Sequence, residues 1–434
     1  MIRFIIALCL LALPVHAEIN IQPITSPGGI KAWLVENHNI PFTALEIQFQ
    51  GGTALDAPGK RGAVNLMTGL IEEGAGTLDS QGFAEARDAL AATYQFKPST
   101  DSVGVSARFL TENRDAAVAL LQTALVHPSF DAVAVERVRG QVLAALRGNA
   151  TDPDSLASLA FDAAAFADHP YATDGDGTIA SVTALTRDDI VAAHQGALAR
   201  DRIFVAATGD ITAAELGLLL DRLLGDLPAT GAPLPGRADL HLTGGVTIQD
   251  FPGPQSVVMF GHAGIKRDDP DFFAATILNE VLGGGRFSAR LMTEVREKRG
   301  LTYGIGTYLV GYDQAELMLG QFSAANEKTA DAVQVIRDEW AKVARDGITA
   351  EELATTKTYL TGAYPLRFDG NGTIASILVG MQMTGLSPDY PKTRNDRVNA
   401  VTLADIKRVA ARLIQPDALR FVVVGQPAGL ESTN

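Results

Sequence analysis

The sequence predicts an α+β protein of two homologous domains, each a β-sheet with helices packed mainly on one face. Three observations support this fold class: segments of alternating apolar and polar residues, longer Ala- and Leu-rich stretches with helical spacing, and a segment that occurs twice in the chain. Hydrophobic residues make up 47% of the 434 residues, which is enough for two cores and excludes global disorder.

Strand and helix patterns follow one another along the first half. Residues 32–36 and 43–50 alternate apolar and polar side chains, as half-buried strands do. A break at Gly51 and Gly52 separates these strands from the helices. Helical spacing is predicted for residues 62–71, 115–125 and 130–147, and a short buried strand for residues 203–207.

A nine-residue segment is repeated in the second half of the chain. Residues 182–190 align with residues 398–406 at five identical positions of nine. In both copies a helix, an apolar strand and a glycine (Gly209 or Gly425) follow at a constant offset of 216 residues. Because the register persists through all three features, we interpret the chain as a duplication whose two domains face each other across a cleft.

A segment rich in proline and glycine lies close to the middle of the chain. Residues 226–238 contain three prolines and two glycines, a density that neither a helix nor a central strand tolerates. We therefore predict an N-terminal domain at residues 18–227, an exposed linker at residues 228–240 and a C-terminal domain at residues 241–434.

The first 17 residues have the pattern of a cleavable signal peptide. A positive start precedes an apolar run too short to span a bilayer, and Ala17 ends a small-residue cleavage site. The signal predicts a periplasmic or secreted protein. The chain's one cysteine, Cys9, lies in this segment, so we expect neither a disulfide nor thiol chemistry in the mature chain. No other apolar stretch reaches ~18 residues, so no membrane span is expected in the mature chain.

The charge of the chain argues against several classes of partner. With 36 basic and 50 acidic residues, its formal net charge is −14. Such a field repels phosphate backbones and anionic lipid, so nucleic acid is not an expected partner.

The usual catalytic motifs are absent from the sequence. No histidine pair has the spacing of a helical metal site, and Gly-x-Ser-x-Gly does not occur. The glycines at 283–285 follow a predicted helix, whereas a dinucleotide-binding loop follows a strand. Residues 174–178 lack the third acidic ligand and the distal glutamate of a calcium loop, so we interpret them as a turn.

Several segments together resemble the M16 family, which includes insulinase-like, pitrilysin-like and mitochondrial-processing-peptidase-like proteins. They occur in the family's order across nearly the whole mature chain, and the duplicated halves are similar to the family's architecture. The segments are residues 50–56, 169–171 with 177–178, 282–291 and 295–303. The resemblance implies the M16/LuxS-like metallohydrolase fold.

Active M16 members carry His-x-x-Glu-His on a helix of the first domain and a further glutamate roughly seventy-five residues on. The resemblance places these four functions at Asn65, Thr68, Gly69 and Ala145. None of these residues is a zinc ligand or a general base of the kind required. We therefore expect no metal and no cofactor in this chain, and no activity of the chain alone. Glu72 and Glu73 are nearby, and we interpret them as the solvated end of a helix.

The second half retains a different family feature. In M16 peptidases an arginine and a tyrosine seven residues apart hold the substrate carbonyl and stabilise the oxyanion, and Arg296 and Tyr303 match those places. A planar charged fork and a phenolic donor suit a developing negative oxygen. The alternative is an ordinary charged helical face with Tyr303 at the start of the next strand.

Three functions remain to be distinguished. The resemblance favours the zinc-less subunit of a heterodimeric M16 peptidase, with zinc in a sister subunit and an unfolded peptide as substrate, added as a strand to a sheet edge. A non-enzymatic peptide-binding or assembly subunit is the second hypothesis. A self-sufficient metallopeptidase is the least favoured, because these residues do not supply a metal site.

Overall fold

A computed structural model of the protein describes residues 19–433. The predicted signal peptide therefore lies outside the described residues. In the described part of the chain, no helix is long and apolar enough to cross a membrane.

The N-terminal half contains a six-stranded mixed sheet in the order β1-β2-β8-β3-β7-β6, with a two-stranded β4-β5 ribbon beside it. The strands are β1 Gln22–Thr25, β2 Lys31–Glu36, β3 Phe42–Gln50, β4 Gly74–Ala75, β5 Leu78–Asp79, β6 Thr93–Pro98, β7 Ser102–Leu110 and β8 Ile203–Gly209. The helices are α1 Ala63–Leu70, α2 Ser80–Ala89, α3 Arg114–Val126, α4 Ala132–Asn149, α5 Pro153–Phe166, α6 Ile179–Ala184, α7 Arg187–Ala197 and α8 Ala213–Leu224.

The C-terminal half contains a five-stranded sheet in the order β11-β12-β10-β13-β9, in which only the β13–β9 pair is parallel. Its strands are β9 Gly245–Asp250, β10 Gln255–Ala263, β11 Ile305–Gly311, β12 Glu316–Ala325 and β13 Arg420–Gly425. Its helices are α9 Phe272–Leu282, α10 Thr329–Asp346, α11 Ala350–Ala363, α12 Asn371–Met383, α13 Tyr390–Ala400 and α14 Leu403–Leu413. The two α+β halves confirm the predicted fold class.

The repeated segment has a physical explanation in helix capping. Thr186 and Thr402 begin α7 and α14 with the same capping box, in which the threonine accepts from the N3 amide and an aspartate reaches back. The strands β8 and β13 then end at Gly209 and Gly425, both with positive φ (137° and 154°). A Cβ at either glycine would collide with the adjacent strand, so only glycine fits there.

The two halves exchange one helix each, which the sequence patterns did not predict. Helix α5 packs on β10 and β13 of the C-terminal sheet, and α12 packs on β3 and β8 of the N-terminal sheet. Adding the offset of 216 to the bounds of α5 gives a segment that largely overlaps α12. Each sheet is thus covered on one face by helices of its own half and on the other by one helix of the opposite half.

The segment between the halves is extended and mostly exposed, with Ala238 as a buried exception. Arg237 forms an ion pair with Glu316 of β12, and the Ala238 amide donates to the Gln314 carbonyl (2.9 Å). Earlier in the segment the Ala232 amide donates to the Gly196 carbonyl (2.9 Å), so the segment is anchored to both halves. The exact domain bounds stay a prediction.

Candidate functional site

Helix α1 is the helix on which active relatives would carry the zinc motif. The buried carboxylate of Asp56 fixes its start by accepting hydrogen bonds from the amides of Gly62 and Val64, both at 2.8 Å. Burial raises the pKa of Asp56, while those hydrogen bonds and Arg61 oppose the rise. The helix is therefore well formed although its zinc-site positions carry other residues.

The side chains at those positions do not fit a zinc ion. Thr68 is buried and its hydroxyl donates to the Val64 carbonyl (2.7 Å), so it faces the helix's own backbone. Asn65 is half-buried and offers only an amide, while Gly69 and Ala145 offer no donor atom. A Cβ on Gly69 would lie 3.3 Å from Val138 on α4, so a larger residue would require Val138 to move. Within residues 19–433 no group of three or more His, Cys, Asp or Glu side chains could hold a metal ion.

The interpretation of Glu72 and Glu73 as a solvated helix end was wrong. Glu72 is paired with Arg87 (3.1 Å), and burial raises its pKa. Glu73 is bound by Arg137 of α4 and by Ser80 at the start of α2. Both carboxylates therefore join α1 to neighbouring helices, and their basic partners make them unsuitable as metal ligands.

Arg296 lies in a π-helical turn, Met292–Glu297, and not in a regular α-helix. The wider turn is closed by a hydrogen bond from the Lys298 amide to the Thr293 carbonyl (3.0 Å). Such turns often occur at functional sites. Here the turn places the Arg296 guanidinium over the ring of Phe287, 4.9 Å from its centroid.

The charged residues next to Arg296 form ion pairs with one another, and none of them forms an ion pair with Arg296. Glu294 accepts from Lys298 (2.6 Å) and Arg299 (2.7 Å), and these bonds lower its pKa. Within the described residues Arg296 has no carboxylate partner. The alternative of a charged helical face thus describes Glu294, Lys298 and Arg299, but not Arg296.

Tyr303 lies two residues before β11 and is 88% exposed. The preceding Thr302 is fixed by hydrogen bonds to the carbonyls of Gly304 (2.9 Å) and Ser323 (2.7 Å), so Tyr303 projects from an anchored turn. Arg296 and Tyr303 both line one cavity of about 420 Å³ beside the ends of β10 and β12. The structure therefore brings together the two residues that the sequence singled out.

Sequence reasoning missed Phe287, which is 65% exposed and supports the Arg296 guanidinium. The residue lies inside the segment 282–291 that carried part of the resemblance. An apolar aromatic residue in a glycine-rich turn, nine positions before the arginine, was the available signal.

The duplicated fold, with no histidine or carboxylate at the zinc-motif positions of helix α1, defines a class: chains built like two-domain metallopeptidases but lacking the usual metal-ligand residues. Two protein-family models that match the chain support this class. Residues 31–175 match Insulinase (Peptidase family M16), and residues 184–360 match the Peptidase M16 inactive domain. The chain belongs to the M16 family.

Three relatives illustrate the likeness over the full chain. The non-peptidase homolog YmxG of Helicobacter pylori is 27% identical over 416 residues, covering 94% of this chain and 93% of the relative. An uncharacterized zinc protease of Mycobacterium leprae is 25% identical, covering 90% and 88%. The crystal structure of a peptidase M16 inactive domain from Pseudomonas fluorescens superimposes with a TM-score of 0.88 at 26% identity, covering 96% and 100%. The names of the first and third, with the match to the M16 inactive domain, support an inactive, non-peptidase-homolog type of M16 chain, while the second is named a zinc protease.

Proposed function

We propose that this chain is the non-metal-binding subunit of a periplasmic heterodimeric M16 zinc peptidase. It supplies Arg296 and Tyr303 to a cleft whose zinc is held by the His-x-x-Glu-His motif of a sister subunit, and the substrate is an unfolded peptide. The observation that carries this proposal is that the two residues line one cavity while helix α1 has no zinc donors.

The chemistry of the pair suits a peptide carbonyl. A guanidinium without a carboxylate partner keeps its N–H groups for an incoming oxygen, and stacking on Phe287 holds its plane. Tyr303 adds a phenolic donor from the same cavity. Donors arranged in advance around a developing oxyanion each contribute about 3 kcal/mol to transition-state stabilisation.

The exposure of the pair supports a partner. Phe287 and Tyr303 are both largely exposed, although aromatic side chains are typical of interface cores and not of free surfaces. In a heterodimer the partner would cover them and complete the cleft.

A second candidate function is a non-enzymatic peptide-binding or assembly subunit. It is favoured by the relative named as a non-peptidase homolog. An assembly subunit has no need of an unpaired arginine beside an exposed tyrosine, so we place it second.

The location is part of the proposal. The signal-peptide pattern of the first 17 residues supports export to the periplasm or beyond. Cell fractionation followed by N-terminal sequencing tests it: the mature chain should begin at residue 18 in the periplasmic fraction. A full-length chain in the cytoplasmic fraction would contradict it.

The function is tested by purifying the chain from its native periplasm, identifying what co-elutes and measuring zinc and peptide cleavage. We expect a second M16 chain with His-x-x-Glu-His, about one zinc per pair, and cleavage of unfolded peptides that neither chain performs alone. A stable pair that holds zinc in the partner but gains no activity from this chain would favour the assembly function.

A further inference from the structure

A second cavity in the C-terminal half lies between helix α9, the edge strand β11 and helices α12 and α13. Its volume is about 790 Å³, and it shares no lining residue with the cavity of Arg296 and Tyr303. Three guanidinium groups line it, from Arg267, Arg367 and Arg394. The proposed function uses none of these residues.

These three arginines have no carboxylate partner within the described chain. Arg267 donates to the Tyr390 hydroxyl (2.6 Å), and Arg394 donates to the Leu360 carbonyl (2.7 Å). The side chain of Arg367 is exposed and forms neither a hydrogen bond nor an ion pair with the described residues, although its backbone amide donates to the Tyr364 carbonyl (3.2 Å).

Nearby carboxylates are already engaged. Glu280, the one acidic residue among those that line the cavity, lies 3.8 Å from Arg286. Asp269 and Asp271 are bound by Arg412 and Arg408. The cavity thus concentrates positive charge in a chain whose net charge is −14, and that charge is available to an anion.

Aromatic rings hold two of the guanidinium groups in place. Arg267 lies 4.1 Å from the ring centroid of Phe272, and Arg394 lies 4.4 Å from that of Tyr364. Stacking fixes a guanidinium plane but leaves N–H groups at its edge for a carboxylate. All three arginines surround Tyr364: burial raises the pKa of its hydroxyl to about 12 against the opposing effect of their charges.

Two residues that line the same cavity each carry a buried side-chain oxygen without a hydrogen-bond partner in the described structure. The two atoms are Asn279 Oδ1 and Thr307 Oγ1, on residues that are 7% and 4% exposed. A buried polar atom left unsatisfied costs about 1–3 kcal/mol, so a ligand that pairs with both gains affinity. The amide oxygen needs an N–H donor, whereas the hydroxyl can donate to an oxygen.

We propose that this cavity binds the C-terminal carboxylate of a peptide whose last side chain is apolar. The arginines bind the carboxylate, Asn279 accepts from the neighbouring amide N–H, and the walls formed by Phe272, Phe273 and Tyr390 contact the side chain. Free N-acylated amino acids offer the same groups, so the two sources need separate probes.

Calorimetry on the full mature chain tests the proposal with matched pairs. The small probes are N-acetyl-phenylalanine and N-acetyl-phenylalaninamide, and the peptide probes are one five-residue sequence ending in phenylalanine, as free acid and as amide. Each acid should bind at least tenfold more tightly than its amide. A peptide acid that binds better than the small acid indicates a peptide ligand, and equal binding indicates a small acylated amino acid. Acids and amides that bind equally, or four probes that fail to bind, would overturn the proposal.

Substitutions test whether the acid probes bind in this cavity. Arg367→Gln changes an exposed side chain without partners, so the fold should survive while affinity for the acids falls at least fivefold and that for the amides stays the same. The matched control is Arg337→Gln, which removes the same charge from an arginine that stacks on Phe421 away from the cavity. Equal losses in both variants would show a general charge effect and remove the cavity from consideration.

Discussion

The Tyr303 hydroxyl is the group on which the proposed catalytic role depends. Tyr303→Phe removes one donor but keeps the ring, and because the side chain is 88% exposed the fold should not change. In the complex with a zinc-bearing partner we expect turnover to fall by ~10²–10³ with little change in KM. Steady-state kinetics on an unfolded peptide measures both.

Arg296→Lys is the companion substitution, because it keeps the charge but loses the planar fork, and it should also lower turnover. Arg299→Ala is the control: Arg299 pairs with Glu294, which retains Lys298 as a partner, so the change should be nearly neutral. Complexes with Tyr303→Phe or Arg296→Lys that assemble and turn over at the wild-type rate would leave this chain as a binding or assembly subunit.

The residues at the zinc positions lead to a second prediction. Because Asn65, Thr68, Gly69 and Ala145 include no zinc ligand, the isolated mature chain should bind no stoichiometric zinc and cleave no peptide. Metal analysis after dialysis, with the zinc-bearing partner as positive control, measures this. About one tightly held zinc per chain with chelator-sensitive cleavage would contradict it.

At this scale the family resemblance, and not residue type alone, selected Arg296 and Tyr303, and the structure places both at one cavity. Their catalytic role stays a prediction. The support of Arg296 by Phe287 and the ion pairs of Glu72 and Glu73 depend on contacts between segments distant in the chain or shaped by a π-turn. Periodicity alone does not contain that information.

At the scale of elements, the exchanged helix α12 should stabilise the opposite half. Leu378 is fully buried in a cluster with Ala206 of β8, and Gln382 donates to the Val205 carbonyl (2.7 Å). Leu378→Ala should lower the free energy of unfolding by about 2–4 kcal/mol. Urea denaturation measures this, and Leu218→Ala, at a 66% exposed position on α8, should be nearly neutral.

The same packing predicts the behaviour of the halves expressed separately. Residues 18–227 alone lack α12, which leaves the face formed by β3 and β8 without its cover. We expect this fragment to aggregate or to need the other half for folding. A monomeric fragment with native-like stability would show that the exchange is dispensable.

The sequence predicted several elements of the first half and the repeated helix, strand and glycine of the second half, but not this exchange. The threonine caps of the repeated segment and the paired glycines that follow it are local signals, and both are visible in the sequence. Which sheet α5 and α12 cover depends on the three-dimensional arrangement of the halves. Both helices are apolar enough to pack on either sheet, so their pattern does not determine the choice.

For the whole molecule, polar contacts hold the halves together around a buried acidic region. Tyr171 donates to Asp101, and Asp101 accepts from the Asp313 amide of the other half (2.9 Å). Asp162 of α5 lies beside this contact, lining a cavity of about 320 Å³ with Tyr171 and Tyr312. Burial, and next the charge of Asp174, raise the pKa of Asp162 to about 7 from an ordinary value of 3.8.

This pKa makes the stability of the assembled halves depend on pH. The folded state holds a proton on Asp162 between pH 4 and about 7, whereas the unfolded state has lost it. The contribution of Asp162 to the free energy of unfolding is therefore fully present below pH ~4 and is lost as the pH rises through about 7. Asp162→Asn does not ionise, so it should be more stable than wild type by about 1–3 kcal/mol at pH 8 and nearly equal to it at pH 4.

Urea denaturation of both proteins across this range measures the difference. Taking the difference between the two proteins removes the contribution of the other titrating groups, which they share. The control is Asp168→Asn, at an exposed position just after α5, which should show no such pH-dependent gap. If the gap between wild type and Asp162→Asn is the same at pH 5 and pH 8, the carboxyl group is ionised throughout that range, and the buried acidic region between the halves does not sense pH.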